Sequence, residues 1–471
     1  MQKTGTKKEL PMQGKKNKKH GKAAFLKGAA FIAAGGFIAK IIGALYRIPL
    51  TNLIGGYGLG LYQMVYPVYC LLLTVSATGI PSSIAKLTAE RIGAGKSDKP
   101  VFKTAMKLFI IVGLVGTVLM AVFAPLLASA QDSKQVIGGY YALAPSVLLV
   151  SAISVFRGWF QGRNNMLPTA LSEITEQVVK VGVGLLFAYA YRANVERAVV
   201  ALLLAVSVSE LVTLLLMIFL YKRVPAHGQT QNEGERVPVK SVLKMSVPVT
   251  LSSMLLPLSG LIDSVLVVRL LSKHVSDAVT LYGLFSGGAV TVINLPVSVC
   301  YGIAAASIPS VAAAQAKRQN GKTDKADKTA SVRKKIFFSL LITALVATPC
   351  AIGLYIFAEP AAKIIFRSLK GEELQTLIRL VKVFSVSAFT LSCTQTLSAC
   401  LTAQGKPQYA AISMLVAIAV KTALHFVWVA NPKISVFGAA YATNVCYSVA
   451  FFLDLMYNLY VSKKRKKRKS A

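Results

Sequence analysis

Charged residues lie inside apolar stretches that are long enough to cross a membrane, where each buried charge is costly. The first such stretch, AAFIAAGGFIAKIIGALYRIPL, carries Lys40 and Arg47. These two residues stand at i and i+7, so they share one face of a helix. Two cations on one face can line a wet cavity and attract an anion. Alternatively, each side chain reaches the membrane interface or neutralises a carboxylate on a neighbouring helix.

A second group of charges lies in the stretch FRGWFQGRNNMLPTALSEITEQVVK, which runs from Phe156 to Lys180. Glu173, Glu176 and Lys180 stand at i, i+3 and i+7 and can also share one helix face. One interpretation pairs Glu176 with Lys180 within the helix. Even then, one carboxylate stays available to a partner helix or to a cation, so all three residues are candidates for a binding site.

The same stretch begins with basic residues that we interpret as loop charges. Arg157 and Arg163, together with Lys86, are predicted at the cytoplasmic edge of the membrane, where they would suit an anionic head group. Trp159 between them is predicted to anchor the chain at the membrane interface.

Further charges lie in later apolar stretches. Asp263 is a candidate counter-ion for a cation of the first stretch, or a ligand for a coupling ion, and Arg269 follows on the same segment. Glu210 and Asp454 are interpreted as structural partners. The residues predicted to bind substrate are therefore Lys40, Arg47, Glu173, Glu176, Lys180, Asp263 and Arg269.

The sequence offers little for enzymatic or metal chemistry. Its six cysteines lack C-x-x-C spacing, and its four histidines are far apart, without an H-E-x-x-H pattern. No Walker A sequence and no D-x-D-type acidic loop of a glycosyltransferase occurs. We therefore predict a protein that is not an enzyme and holds neither a metal nor a cofactor.

Composition indicates a membrane protein. The chain has 471 residues, of which 54% are hydrophobic and 15% charged, well below the roughly 25% charged residues of soluble domains. The net charge of +35 resides in short segments between apolar runs of about 20 residues, so it reports membrane topology and not nucleic-acid binding. Twelve transmembrane helices are predicted, near residues 25–50, 59–82, 104–129, 137–157, 168–191, 197–221, 242–270, 281–310, 335–358, 377–402, 408–430 and 435–462.

The positions of the basic segments place both termini in the cytoplasm, by the positive-inside rule. The halves of the chain share short sequences in the same order, among them IPS at 80–82 and 308–310, and QGR at 161–163 against QGK at 404–406. This order predicts two six-helix lobes duplicated in parallel. The predicted divisions are a basic tail at 1–24, an N-lobe at 25–221, a linker at 222–241, a C-lobe at 242–462 and a second basic tail at 463–471.

The segments AKIIGALYRIPLTNLIG, GLYQMVYPVYCLLLTVSATGIPSSIAKLTAE and FRGWFQGRNNMLPTALSEITEQ resemble the stage V sporulation protein B family of Gram-positive bacteria. That family belongs with the lipid II flippases and polysaccharide exporters of the multidrug/oligosaccharidyl-lipid/polysaccharide superfamily. The resemblance extends over essentially the whole chain.

The resemblance implies a V-shaped, two-lobed helical transporter that works by alternating access in the cell membrane as a monomer. Its substrate would be an undecaprenyl-pyrophosphate-linked oligosaccharide, a peptidoglycan precursor such as lipid II, moved outward for cell-wall or spore-cortex synthesis. Lys40 and Arg47 match the family's cavity arginines by their G-x-x-R setting, although a lysine lacks the bidentate fork of arginine. An ion gradient or the membrane potential would drive transport.

Two other functions remain open on the same residues. A cation or drug antiporter of the same fold would use a site dominated by carboxylates, with Asp263 or Glu173 binding the cation. A non-transporting scaffold for envelope assembly would tolerate the neutralisation of every charge within the membrane.

Overall fold

The computed structural model is built from helices, with no β-strand among the residues that it describes. Those residues are 13–77, 79–224, 239, 242, 250–251, 253–319 and 325–464. Side chains are described from residue 38 onward, except at some helical positions that include Lys40. The predictions for the Lys40 side chain, for residues 1–12 and 465–471 of the basic tails and for most of the linker therefore lie outside the described residues.

Besides a short 3₁₀-helix at Lys134–Val136, fourteen α-helices and two π-helices form the described fold. They are α1 (Gln13–Ala77), α2 (Ile80–Gly93), α3 (Lys99–Ala130), α4 (Ile137–Gly162), α5 (Leu167–Ala190), α6 (Val195–Lys222), α7 (Leu255–Leu271), α8 (Ala278–Tyr282), π1 (Gly283–Ala289), α9 (Val290–Gln319), α10 (Lys325–Ile356), α11 (Ala358–Ile365), α12 (Gly371–Ala403), α13 (Pro407–Leu424), π2 (His425–Val429) and α14 (Val436–Lys464).

Nine helical segments of the described residues are long and apolar enough to cross a membrane. The predicted spans at 25–50, 168–191 and 242–270 are the ones without a segment of their own among these nine. Charges explain why the predicted span at 168–191 is not among the nine, because α5 carries Glu173, Glu176 and Lys180 within a single helix. A multi-pass membrane protein is confirmed, and the count of twelve stays a prediction.

The helices pack as two bundles, which we call the first half (α1–α6) and the second half (α7–α14). In the first half, α4 packs on α3 and α6, while α5 packs on α1 and α6. In the second half, α12 is central and packs on α9, α10 and α14. This is the two-lobed arrangement predicted from the sequence, whereas the predicted residue boundaries of the lobes stay predictions.

Helix α1 links the two halves because it turns back on itself at Gly55. Gly55 has a φ of 64° and a ψ of −170°, a backbone conformation that favours glycine. The turn falls in the predicted connector between the first two spans. We call the side of the bundle where this turn lies the Gly55 end. Beyond the turn, α1 packs on α7, α8 and π1 of the second half.

The two halves are closed against each other at the Gly55 end. A Cβ atom at Gly60 would collide with the carbonyl oxygen of Val279, and one at Gly283 would collide with the backbone of Gly56 and Gly60. Glycine is therefore required here because two backbones from different halves touch.

Hydrogen bonds between the halves reinforce this closure. The Asn52 side chain accepts a bond of 2.9 Å from the backbone N–H of Ser368. Gln131 donates to Ser264 Oγ at 3.1 Å, and Ser272 donates to Asp132 Oδ2 at 3.0 Å. These bonds must break if the halves separate at the Gly55 end.

The repeated turns after α4 and α12 have the same backbone geometry. The N–H groups of Asn165 and Lys406 each donate a bond of 3.0 Å to the carbonyl five residues earlier. The residue before each has a positive φ, 57° at Asn164 and 72° at Gly405. By backbone geometry, Asn164 therefore corresponds to Gly405. The match of QGR to QGK instead aligns Gly162, two positions earlier, with Gly405. Backbone conformation and not side-chain identity defines the turn.

Candidate functional site

A cavity of about 370 Å³ lies between the two halves, between α1, α5 and α9. Both charged members of its lining are cations: Arg47 from α1 and Lys180 from α5. The lining residues are Gly43, Tyr46, Arg47, Leu50, Tyr62, Tyr66, Lys180, Thr291, Asn294, Leu295 and Ser298.

Arg47 reaches across the cavity from the first half to the second. Its Nη1 donates a hydrogen bond of 2.7 Å to Thr291 Oγ1 on α9. A guanidinium has five N–H donors, so this single bond leaves several of them for a ligand. The side chain is partly exposed, which fits a group that faces a wet cavity.

Lys180 is the second cation of the cavity, and it makes no hydrogen bond or ion pair with any residue that the structure describes. Burying an ammonium group without a partner is costly, so such groups in membranes usually face water or a ligand. Together, Arg47 and Lys180 can bind a compact dianion such as a diphosphate, which Arg47 can also orient through its fork of donors.

Tyrosines and polar side chains complete the cavity. Tyr62 and Tyr66 are stacked, with ring centroids 5.2 Å apart, and Tyr46 lies beside them. Asn294 and Ser298 on α9 expose an amide and a hydroxyl to the same space. The cavity therefore offers an anion site next to aromatic faces and hydrogen-bonding groups.

The intrahelical pair between Glu176 and Lys180, one of the interpretations left open by the sequence, does not form, although the two charges act on each other at longer range. Glu176 Oε2 instead accepts a bond of 3.0 Å from Arg157 Nη2 on α4, and Arg157 Nε donates to Ser172 Oγ at 2.8 Å. Arg157 is closer in space to Glu176 than the lysine one turn along the same helix. Arg157 is thus a structural partner between α4 and α5, and it lies within α4 and not in a loop as predicted.

The remaining carboxylates of the first half lie close to this pair. Glu173 interacts electrostatically with Arg157, and the buried Glu210 of α6 accepts a hydrogen bond of 3.3 Å from Tyr69. Neither glutamate lines the cavity. Glu210 is a structural partner, as the sequence predicted.

Asp263 and Arg269 do not line the cavity. Asp263 Oδ2 lies 2.7 Å from Lys421 Nζ, within the second half. Its partner is therefore a lysine of α13 and not a cation of α1. Arg269 is exposed near the end of α7. Of the residues predicted to bind substrate, the structure brings Arg47 and Lys180 together.

Arg163 lies in the turn that follows α4, as predicted, but its side chain is buried within the protein, and so is Trp159, which was predicted to be an interfacial anchor. Arg163 Nε lies 2.5 Å from Asp98 Oδ2, and the Asp98 side chain is 0% exposed. The guanidinium also stacks over the Trp159 ring, 3.8 Å from its centroid. Phe102 and Tyr221 pack on the same indole, so this group locks α3, α4 and α6 together.

Sequence reasoning missed the contribution of α9 to the cavity. Thr291, Asn294 and Ser298 are polar residues at i, i+3 and i+7 in the apolar stretch TVINLPVS, the helical spacing of one face. That signal was available and could have identified the second wall. Among the described residues, no group of three His, Cys, Asp or Glu side chains could hold a metal ion.

Comparisons with known proteins give one family and one fold. The profile of the family described as polysaccharide biosynthesis protein matches residues 25–315. The stage V sporulation protein B of Bacillus subtilis (strain 168) is 26% identical over 435 residues, covering 89% of this chain and 81% of that protein.

Solved structures agree on the fold. An inward-facing multidrug-resistance MATE transporter of the MOP superfamily superposes with a TM-score of 0.77 at 16% identity, over 92% of this chain and 96% of that one. The lipid II flippase MurJ in an inward closed conformation gives a TM-score of 0.68 at 13% identity, over 92% and 89% of the two chains. These likenesses confirm the predicted fold class.

Proposed function

The chain belongs to the polysaccharide biosynthesis protein family, and from this premise we propose that it is a flippase for a lipid-linked oligosaccharide. The substrate that fits best is an undecaprenyl-pyrophosphate-linked peptidoglycan precursor such as lipid II, used for cell-wall or spore-cortex synthesis. The observation that carries this proposal is the cavity between the halves, where Arg47 and Lys180 are the two charged lining residues.

A diphosphate head group needs such a cavity because a bare dianion cannot enter hydrocarbon without an extreme loss of hydration energy. Arg47 and Lys180 replace part of that hydration with charge-assisted hydrogen bonds. Lys40 stands two helical turns before Arg47 on the same helix face and is proposed as a third cation. The sugar lies against the tyrosines and the polar wall of α9, while the prenyl chain stays in the lipid.

Translocation requires the halves to rock about the cavity. With both termini in the cytoplasm, as the basic segments predict, the Gly55 end faces outward. The contacts at Gly60 and Gly283 then close the outer side, and the head group enters from the cytoplasm. Opening the Gly55 end releases it outside, with 25–221 and 242–462 as the moving lobes and 222–241 as their linker.

The name of one similar structure supports the same class of substrate, and the name of one relative supports a role in sporulation. One relative is called a stage V sporulation protein, and one solved structure of the same fold is called a lipid II flippase. A flippase is a transporter, which agrees with the proposal that this chain is not an enzyme.

A cation antiporter fits the cavity less well. The described residues that line it include two cations and no carboxylate, so the local field repels a cationic drug. A scaffold without transport activity would not need two cations facing one cavity. Both alternatives become outcomes of the same experiment.

The test reconstitutes the purified chain in liposomes and follows the outward movement of fluorescent lipid II, of its teichoic-acid counterpart and of bare undecaprenyl pyrophosphate. Arg47→Gln and Lys180→Gln are compared with Lys103→Gln, which removes an exposed cation of α3 outside the cavity lining. The proposal expects both cavity variants to lose most of the transport that the control retains.

Equal transport by all three variants would overturn the assignment of the cavity. Export of a cationic dye, unaffected by Arg47→Gln, would favour the antiporter. A chain that inserts correctly but moves none of these substrates would favour the scaffold.

A further inference from the structure

A basic surface lies at the Gly55 end of the second half, outside the cavity lining. The end of α10, α11 and the start of α12 form it, and the hydrogen bond between Ser368 and Asn52 places it at this end. The sequence predicts that the Gly55 end faces outward, where the positive-inside rule leads us to expect few cations. Residues 357–382 nevertheless carry three carboxylates and five cations. We call this region the α11 surface, and its cations are Lys363, Arg367, Lys370, Arg379 and Lys382.

Helix α11 is buried on one side and exposed on the other. Ala358 and Ala362, one turn apart, are buried against the rest of the protein, whereas Glu359, Lys363 and Ile364 are exposed. The outer side of α11 therefore carries both charged and apolar groups. Short amphipathic helices of this kind lie in the plane of the membrane interface.

Exposed apolar side chains lie next to these charges. Tyr355, Ile356 and Phe357 at the junction of α10 and α11 are 57–62% exposed, and Ile364 of α11 is 60% exposed. Aromatic side chains beside lysine and arginine are typical of the boundary between the lipid headgroups and the acyl chains. The α11 surface thus has the composition of a protein surface that contacts lipid at this boundary.

Contacts bring cations of α11 and α12 together. Lys363 Nζ lies 2.7 Å from Glu359 Oε1, and Lys382 Nζ of α12 lies 5.9 Å from the centroid of the Tyr355 ring. Lys363, and at longer range Lys382, lower the pKa of Glu359, so Lys382 is close to α11. Arg379 precedes Lys382 by three residues and shares its face of α12. Three cations from two helices therefore face the same region.

Arg379 lacks a partner within the protein. Its side chain is exposed, and it makes no hydrogen bond or ion pair with any residue that the structure describes. It belongs to the segment Gly371–Ala403, which is long and apolar enough to cross a membrane. Because a charge in hydrocarbon is costly, the side chain must reach the headgroup layer. A guanidinium binds a phosphate group through two parallel hydrogen bonds, so a lipid phosphate can supply the missing partner.

We propose that the α11 surface binds an anionic phospholipid of the leaflet at the Gly55 end, and that the bound lipid stabilises the closed state of that end. The lipid phosphate lies between Lys363 of α11 and the pair Arg379 and Lys382 of α12. An acyl chain lies against Tyr355 and Phe357. A zwitterionic lipid binds more weakly, because the three cations repel the positive group of its headgroup.

The same part of the chain holds the first half in place. Asn52 of α1 donates a hydrogen bond of 3.3 Å to the carbonyl oxygen of Ile365, the last residue of α11, and accepts one of 2.9 Å from the N–H of Ser368. Ser368 Oγ also donates to the carbonyl oxygen of Thr51 at 3.1 Å. Ser368 lies in the turn between α11 and α12. A lipid that holds α11 against α12 therefore fixes the turn that closes on the first half.

The inference goes beyond the proposed function, and neither of its tests involves transport. In the full chain, Phe357→Trp places a fluorescent reporter on the α11 surface. The reporter protein is placed in phosphatidylcholine vesicles that contain either brominated phosphatidylglycerol or brominated phosphatidylcholine. Quenching is measured relative to the chain without the reporter, to subtract the two native tryptophans. The relative affinity for phosphatidylglycerol is expected to be about 10-fold higher.

The decisive variant combines Arg379→Gln with Lys382→Gln and is expected to lose this preference. The matched control combines Lys103→Gln with Lys107→Gln, which removes two exposed cations near the start of α3, far from α11, and should keep the preference. Arg379→Lys, a milder change that keeps the charge, should keep part of it. Equal affinity of the reporter chain for the two lipids would overturn the lipid site. So would loss of the preference in excess inorganic phosphate, because the surface would then bind a soluble anion.

The effect on closure is measured separately by hydrogen-exchange mass spectrometry of the full chain in nanodiscs. Exchange in peptides covering 51–60 and 365–370 is expected to be slower in phosphatidylglycerol than in phosphatidylcholine. The variant with Arg379→Gln and Lys382→Gln is expected to abolish this difference, and the α3 control is expected to retain it. Equal exchange in the two lipids, with the binding preference present, would overturn the stabilisation of the closed state and leave the lipid site supported.

Discussion

Arg47 of α1 donates a hydrogen bond of 2.7 Å to Thr291 of α9. A side chain proposed to bind the substrate thus also links the two halves of the protein, and we call this hydrogen bond the tie. The bond lies within the cavity and forms when the halves are close. An anion that competes for the same guanidinium would weaken this tie. Substrate binding and the loosening of the halves can therefore share one side chain.

Thr291→Val is predicted to shift the protein toward the conformation in which the Gly55 end is open. Loss of one hydrogen bond of net strength about 0.5–1.5 kcal/mol changes the balance of the two conformations about 2- to 10-fold. Faster hydrogen exchange in peptides covering 51–60 checks this. Thr422→Val, which removes a bond within one helix only, is the control. Unchanged exchange in Thr291→Val would contradict the role of the tie.

Arg47→Gln is predicted to weaken binding of undecaprenyl pyrophosphate about 10- to 100-fold, because hydrogen bonds to charged groups contribute about 1.5–3 kcal/mol. Arg47→Lys should bind with intermediate affinity, since it keeps the charge and loses the planar fork. Calorimetry of undecaprenyl pyrophosphate binding to each protein in nanodiscs measures the order of the three affinities, with wild type tightest and Arg47→Gln weakest. If Arg47→Gln and Arg47→Lys bind equally, charge at this position plays no part.

Gly60→Ala is predicted to prevent the halves from closing at the Gly55 end, because the new Cβ would collide with the carbonyl oxygen of Val279. The variant should fold but stay open there, and transport should fall severely. Gly182→Ala, with nothing within 4 Å of the added Cβ, should behave like wild type. Normal transport by Gly60→Ala would show that close backbone contact is not needed.

The sequence predicted the fold well because membrane spans and basic loops are local signals. Hydropathy identified the helices, and the turn of α1 fell in the predicted connector. Spans with internal charges gave weaker signals, as α5 shows, because each charge lowers the apolar score of the helix that carries it.

Partners of charged residues could not be predicted, because they depend on which helices become neighbours. Glu176 pairs with Arg157 of α4 and not with Lys180 of its own helix. Asp263 pairs with Lys421, more than one hundred positions away in the chain. Helical spacing identifies residues that share a face, but packing decides what that face meets.

Loss of the buried pair between Asp98 and Arg163 is predicted to destabilise the first half. Arg163 holds Asp98 with bonds of 2.5 and 3.0 Å, and the two side chains are 7% and 0% exposed in that order. Removing one partner of such a pair leaves an uncompensated charge, which costs about 3–5 kcal/mol. Asp98→Ala should therefore clearly lower the melting temperature of the detergent-solubilised protein.

The matched control for Asp98→Ala is Glu90→Gln, which breaks the exposed pair with Lys86 at 3.7 Å. Exposed pairs contribute about 0–1 kcal/mol, so this variant should melt close to wild type. The melting temperature of Arg163→Lys should lie between those of Asp98→Ala and Glu90→Gln. This variant keeps the charge but loses the second bond to Asp98 and the stacking on Trp159. If Asp98→Ala melts like Glu90→Gln, the pair does not hold α3 and α4 together, and the aromatic cluster around Trp159 does so alone.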